Sequence, residues 1–443
     1  MVVWIVAVFL SLFGLRWVVI AALHALNLAH VRAAEGRVPP KLEGWVDAET
    51  ARRGAEYTLA HGRLGWGEHV LSAPLVLALL FSGALPAWDH VVQEGWGLFP
   101  ALSGLHASVV FLLALGAFGM LAALPLSLYS TFRIEQRFGF NRQSLAGWLA
   151  DRLKGLAVSL ALGVPFLYGV LALMTEGGSL WWLWAFLFAT AYQFFVVWLF
   201  PVAIAPLFNR FSPLPEGELK ARLEALARAA GFRTRGLYTM DASRRTGHSN
   251  AYFTGLGRAK RIVLFDTMLS RMSADETLAV LAHEIGHFRK HHIRQRLALS
   301  TLTGLLGFYA LGLLAQWPPL FQAFGFAAPA PHALLALAAL GGGVFTFWLA
   351  PLSAWWSRRH EYEADAYSVN VAGMPEALKT ALIGLSGQNL SNLHPHPWYC
   401  AFHYSHPPLS DRLGAIDRLA RGSPQGGPVG ERAAEAGAAA QVR

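Results

Sequence analysis

Along its length the chain alternates long apolar stretches with shorter polar ones. Seven stretches, 2–28, 69–88, 107–131, 155–174, 180–208, 297–317 and 332–355, are apolar enough for helices that cross a hydrocarbon core. Such a core is ~30 Å thick and takes about 20 helical residues. Two longer polar inserts interrupt the series, at 209–296 and 356–421. The first has internal order. An amphipathic helical pattern over 216–230 closes at Gly231, and short strand-like runs follow at 236–240, 251–254 and 261–265, separated by turn signals. A further helix then begins, with Ser273 and Glu276 in capping-box spacing and Leu278, Leu281 and Ile285 continuing an apolar stripe. Beyond about 421 the chain is rich in Ala, Gly and Glu without apolar period, which predicts a disordered tail over 422–443.

Composition agrees with the spans. Apolar residues make up 54% of the 443 and charged residues 14%, against roughly a quarter charged in globular chains. A formal net charge of +9 would suit nucleic acid if it were gathered in one patch, but the basic residues are spread over several loops, so no nucleic-acid partner is expected. Their spread carries a different message. Six lie between the first two spans (Arg32, Arg37, Lys41, Arg52, Arg53, Arg63), five between the third and fourth (Arg133, Arg137, Arg142, Arg152, Lys154), and none after the second, fourth or sixth. This alternation predicts an N-terminus outside, with both polar inserts and the C-terminus in the cytoplasm. The opening run lacks a basic start and exceeds a signal-peptide core, so it is expected to stay as the first span. A single cysteine, Cys400, excludes an internal disulfide and a multi-thiolate zinc site. The terminal Gln441-Val442-Arg443 does not have the form of a prenylation signal.

Candidate chemistry is concentrated in 281–290, where His283, Glu284 and His287 have the spacing H-E-x-x-H. Helical positions four apart lie one turn up the same face, so two imidazoles can share one tetrahedral metal ion. Glu284 is out of line with them and free to take a proton from an attacking water. The spacing alone suits a polar helix face equally well. A catalytic zinc needs three protein ligands and an open position. The third is sought in His360-Glu361-Tyr362-Glu363-Ala364-Asp365, two spans beyond His287 and therefore back on the same membrane face. Glu361 and Asp365 are four apart on an expected helix, so one can bind metal while the other hydrogen-bonds a ligand histidine. Glu363 points to another face. The plain alternative for this stretch is a charged helix beside the membrane.

Taken together, His283-Glu284-Ile285-Gly286-His287, Glu361-Tyr362-Glu363-Ala364-Asp365, the segment His248-Ser-Asn-Ala-Tyr-Phe-Thr-Gly255, the run Lys260-Arg-Ile-Val-Leu-Phe-Asp266 and Tyr404-Ser-His-Pro-Pro-Leu409 resemble the type I CAAX prenyl proteases, which are integral membrane zinc metallopeptidases. The resemblance extends to about residue 420. It implies one Zn2+ per chain on His283, His287 and Glu361, Glu284 as general base, and Asp365 hydrogen-bonded behind the metal. It also implies an edge strand at Asn250, Ala251 and Tyr252 that pairs with the substrate backbone, a strand-addition mode of recognition. His406 matches a histidine that steadies the tetrahedral intermediate, Arg412 matches the arginine that follows it, and His403, three residues earlier, competes for the oxyanion role. The implied substrate is a polypeptide with a prenylated Cys-aliphatic-aliphatic-X end, cut inside a chamber that the spans enclose, with membrane lipid as the surroundings. Two histidines and a glutamate would also hold cobalt or manganese.

The expected fold is therefore mainly α: a polytopic membrane protein of about seven transmembrane helices with a small α+β, zincin-like cytoplasmic catalytic domain. Residues 1–208 would form five membrane helices, 209–296 the catalytic insert, 297–355 the last two spans, and 356–421 the segment with the third ligand. Two other readings stay open at this level. One is a smaller HtpX-like quality-control protease, which has fewer spans. The other is a membrane scaffold or transport component with a vestigial metal site.

Overall fold

The computed structural model describes residues 1–34, 36–94, 104–232, 236–254 and 261–422. Seven helices within them are long and apolar enough to cross a membrane: Val2–Ala33, Ala48–Phe81, Gly104–Glu135, Leu145–Glu176, Gly178–Phe208, His292–Leu314 and Pro331–Ala372. The number agrees with expectation, but the helices outrun their apolar stretches. A helix of 32 residues, such as the first, is about 48 Å long, well beyond a core of ~30 Å. Apolarity marks only the immersed part, because a helix once nucleated propagates through polar residues at little cost.

The second span shows this most clearly, and there the expectation of 69–88 is corrected. It begins at Ala48, where the Asp47 side chain accepts the Thr50 amide at 2.8 Å. Arg52, Arg53 and Arg63, taken above as loop residues, are on this helix. It ends at Phe81, after which Gly83 at φ 80° turns the chain into a separate helix, Ala84–Glu94. The expected tail over 422–443 lies outside the described residues from 423 onward, as do Gly255 and Lys260.

The first polar insert folds into a four-stranded sheet of order β1-β2-β4-β3. β2 (Leu237–Met240), β3 (Ala251–Thr254) and β4 (Arg261–Phe265) fall where the pattern put them. β1 (Phe211–Pro213) was not foreseen, because three residues ending in proline are too short to display an alternation. β4 is parallel to β2 and antiparallel to β3, with Tyr252 opposite Val263. The amphipathic helix spans Glu218–Ala229, and Gly231 at φ 63° follows it. Leu223, Leu237, Ile262, Leu264, Met268, Leu281 and Ile285 form the buried core between this sheet and its helices.

Two joints tie the insert to the membrane bundle. The seventh span, Pro331–Ala372, has its α-helical hydrogen bonding interrupted at Gly342 and again at a 3-10 turn, Phe347–Leu349, and its last part, Ala350–Ala372, packs along Ala274–Arg289. The glycine cluster at 341–343 and Pro351 are sufficient causes for these local interruptions. The second joint is Glu135, at the end of a π-helical turn, Ser130–Glu135, that closes the third span. Its carboxylate accepts from Tyr57 Oη at 2.6 Å and His61 Nε2 at 2.8 Å on the second span, and from His248 Nε2 at 3.2 Å on the insert. The His248 ring also stacks on Phe140 at 3.9 Å. Between the spans lie two apolar cavities of about 950 and 540 Å³, flanking Phe308 and Leu311.

Ala274–Arg289 packs tightly against Ala350–Ala372 at Gly286. A Cβ there would lie 3.0 Å from Ala364 Cα and 3.1 Å from its carbonyl oxygen, both backbone atoms that cannot rotate away. Gly286→Ala is therefore expected to cost about 1–3 kcal/mol, the range for an overpacked core. Thermal unfolding in detergent checks this against Gly116→Ala, where an added Cβ meets nothing within 4 Å.

Candidate active site

The helix that carries the H-E-x-x-H spacing starts at a complete capping box. Ser273 Oγ accepts the Glu276 amide at 3.2 Å, and Glu276 Oε2 accepts the Ser273 amide at 2.8 Å. This fixes the helical phase from Ala274, so Leu278, Leu281 and Ile285 face the insert's core while His283 and His287 face the resumed seventh span. The two imidazole rings stand 4.9 Å apart, nearly perpendicular at 85°. Both turn Nε2 toward Glu361: His283 Nε2 is 3.5 Å from one carboxylate oxygen and His287 Nε2 is 3.4 Å from the other.

These spacings suit a metal. Donor atoms at ~2.1 Å from a tetrahedral ion stand ~3.4 Å from one another, and the three side chains offer one donor each, all within 4.8 Å. Two nitrogens and an oxygen are also the donor set of a catalytic rather than a closed structural site.

The site favours a cation. His283 is buried, which works against its charged form, yet its hydrogen bonds to Asp365 and Glu361 carry its pKa up to about 9. The field that would hold a proton there is available to a metal ion instead. His287 goes the other way. Burial, and then the neighbouring His283, push it down to about 3, leaving a neutral imidazole with a free lone pair. Glu284 is raised to about 6 by burial, and Glu361 adds to the shift, so its carboxylate is poised to take and return a proton near neutral pH.

Behind His283 stands a fully buried ion pair. His283 Nδ1 donates to Asp365 Oδ1 at 2.8 Å. Arg412 grips the same carboxylate with both arms, Nη2 to Oδ1 at 2.6 Å and Nε to Oδ2 at 2.9 Å. Asp365 is 0% exposed and Arg412 8%. Arg412 Nη1 also lies 3.8 Å from Glu361 Oε2. The structure thus brings Arg412 to the back of the site.

His406 is on the open side. It occupies the loop after the helix Pro397–His403, and its Nε2 lies 3.6 Å from Glu361 Oε1. His403 faces elsewhere, with its ring packed on Tyr399 at 4.5 Å and on His24 of the first span at 6.0 Å. Arg358 holds the turn between the two histidines by donating from Nη1 to the carbonyls of Cys400 and Tyr404, each at 2.8 Å. Asn250 precedes β3, and its Oδ1 accepts the Ala251 amide at 2.8 Å. Ala251 and Tyr252 lie in β3, an edge strand with no partner on its outer side among the described residues.

Sequence reasoning gave no role to Glu135, His248 or Arg358. Two left a signal that could have been used: Glu135 is a carboxylate at the end of an apolar span, and His248 opens one of the segments that carry the resemblance.

Comparison with known proteins covers nearly the whole chain. The family model described as CAAX prenyl protease N-terminal, five membrane helices, matches residues 27–210, and the model of peptidase family M48 matches 213–420. CAAX prenyl protease 1 of Saccharomyces cerevisiae is 36% identical over 409 residues, covering 87% of this chain and 90% of that protein. The CAAX prenyl protease 1 homolog of Homo sapiens is 32% identical over 424 residues, covering 86% and 89%. The crystal structure of S. mikatae Ste24p superimposes with a TM-score of 0.85 at 33% identity, covering 93% of this chain and 98% of that one.

Replacing Asp365 by alanine removes the acceptor of His283 Nδ1 and leaves Arg412 buried without its partner. Metal affinity is expected to fall about 10- to 100-fold, measured by competition with a chromophoric chelator.

Proposed function

This chain belongs to peptidase family M48, among the CAAX prenyl proteases, and is an integral, multi-pass membrane metalloprotease acting on polypeptides; from that premise we propose its metal, its residue roles and its substrate class. The metal is zinc, one ion per chain, held by His283, His287 and Glu361. The observation that carries this reading is the convergence of both Nε2 atoms on the Glu361 carboxylate at 3.4 and 3.5 Å. When bound, zinc supplies a Lewis acid that acidifies water and polarises a peptide carbonyl.

The chain's own groups do the rest. The substrate backbone lies along the outer edge of β3, beside Asn250, Ala251 and Tyr252. Glu284 accepts the proton of the attacking water as the C–O bond forms, and delivers it to the amine as the C–N bond breaks. His406 donates a hydrogen bond to the oxygen on which charge develops. Asp365 holds the proton on His283 Nδ1, and Arg412 keeps Asp365 ionised and in place, so both are positioning residues.

The substrates are polypeptides that end in a prenylated Cys-aliphatic-aliphatic-X sequence, from which the last three residues are removed. This follows the names of the relatives and is supported by full-length similarity to them across both halves. That coverage also argues against the smaller HtpX-like branch. The alternation of basic residues between the spans supports a site on the cytoplasmic side and an N-terminus outside. A scaffold with a vestigial site has no support, since the donor set is complete.

The test is cleavage of a farnesylated Cys-aliphatic-aliphatic-X peptide by detergent-purified protein. Release of the tripeptide with about one zinc per chain supports the proposal; cleavage only of unprenylated polypeptides would overturn the substrate class and leave the protease. Glu284→Gln is expected to lower turnover at least about 10²-fold while zinc content stays unchanged. His406→Phe is expected to lower kcat about 10²- to 10³-fold, the worth of one oxyanion donor, with little change in bound zinc.

A further inference from the structure

His283 has an obvious partner for its second nitrogen, and His287 has one that the sequence does not announce. The H-E-x-x-H helix ends at Arg289, and the next helix starts at His292. His291 between them is in the left-handed conformation, φ 59° and ψ 26°. A non-glycine residue is held there only when its surroundings over-determine it. The break returns the next side chain to the helix just left. His292, 1% exposed, lies with its Nδ1 2.9 Å from Nδ1 of His287.

On its far side, His292 Nε2 is 3.0 Å from Glu363 Oε2, and Arg359 Nε donates to the other oxygen of that carboxylate at 2.9 Å. The His292 ring is stacked face to face on His360, 3.9 Å away at 9°, so it cannot rotate freely. One proton assignment satisfies every contact. With Nε2 of His287 turned to Glu361 and its lone pair free for the metal, Nδ1 carries the hydrogen and donates to His292 Nδ1. That nitrogen is then an acceptor, so the hydrogen of His292 is on Nε2 and is donated to Glu363.

We propose that His292 and Glu363 form an imidazole-carboxylate relay that fixes the ring orientation and tautomer of His287, the counterpart of the direct Asp365 contact on His283. The inference rests on His287 being a metal ligand, as argued above. The two ligand histidines thus differ in kind. One is backed by a carboxylate in a single hydrogen bond; the other reaches a carboxylate, two residues past Glu361 on the same helix, only through an intervening ring. His292 and Glu363 are positioning residues and touch no substrate.

The test compares zinc affinity, by chelator competition, and the visible spectrum of the cobalt(II)-substituted protein in five variants. His292→Leu removes acceptor and donor together. It is expected to weaken zinc about 10- to 100-fold, as loss of such a partner does, and to change the cobalt spectrum. In His292→Asn the side-chain oxygen can still accept from His287 Nδ1, so affinity is expected within a few-fold of wild type. Glu363→Gln keeps an acceptor for His292 Nε2 and is expected to behave like wild type, whereas Glu363→Leu weakens zinc. Zinc bound by His292→Leu within twofold of wild type with an unchanged cobalt spectrum would overturn the relay, as would His292→Asn binding as poorly as His292→Leu. Should His292→Leu fail to fold, the Glu363→Leu and Glu363→Gln pair decides by the same measures. His287→Ala separates the premise from the proposal. Wild-type zinc affinity there would remove His287 as a ligand, and the relay with it; lost affinity there beside normal binding in His292→Leu would remove the relay alone.

Discussion

The structure depends on keeping two carboxylates, Glu361 and Asp365, ionised in a place nearly without water. They are 3% and 0% exposed and stand one helical turn apart. An isolated buried carboxylate is costly enough that it would neutralise rather than stay charged. Here the compensation is assembled around the pair. Arg412 is bidentate on Asp365 and 3.8 Å from Glu361, His283 donates to Asp365, and the imidazoles of His283 and His287 face Glu361. No one element of the fold supplies these groups. They come from the insert's helix, the continuation of the seventh span, and the last described helix, Leu409–Gly422. Removing any partner exposes the others to the same desolvation, which is why such a cluster acts as one unit.

Much of this was legible in the sequence because it is written in short-range chemistry. The capping box at Ser273 and Glu276 set the phase of the motif helix, and β3 and β4 have the bounds that the strand-like runs and the turn signals between them gave. The spacing of Glu361 and Asp365 put both on one helical face, where they are found. Span ends were less legible. Hydropathy reports where a helix meets hydrocarbon and is silent on where it stops, so the second span began at Ala48 rather than near 69.

What lay beyond reading was contact between elements far apart in the chain. Nothing near Glu135 reveals that it will meet His248, 113 residues away. His292 stands immediately after a second histidine, in a run that looks merely polar. Only the left-handed turn at His291 gives it a direction. Choosing between His403 and His406 was equally out of reach at three residues' separation. Packing separates them, His403 against the first span and His406 beside Glu361.

These contacts also bear on why a soluble chemistry should be lodged in a membrane protein. The insert 209–296 has its own sheet, yet it holds only two of the three side chains that together could hold a metal ion. The third arrives on a helix that continues the seventh span, and that helix packs on the motif helix at Gly286 and Ala279. Without the span, the motif helix would expose an apolar face, and His283 would lose Asp365. The same polypeptide thus runs from the seventh span directly into the helix that carries Glu361 and Asp365. A second tether, Glu135 on His248, fixes the segment just ahead of β3 to the second and third spans. The edge strand and the donor triad are therefore each referenced to the bundle by separate joints. On the proposed reading, a substrate strand laid on β3 would meet Glu284 and His406 at a position set by the membrane helices rather than by the insert alone.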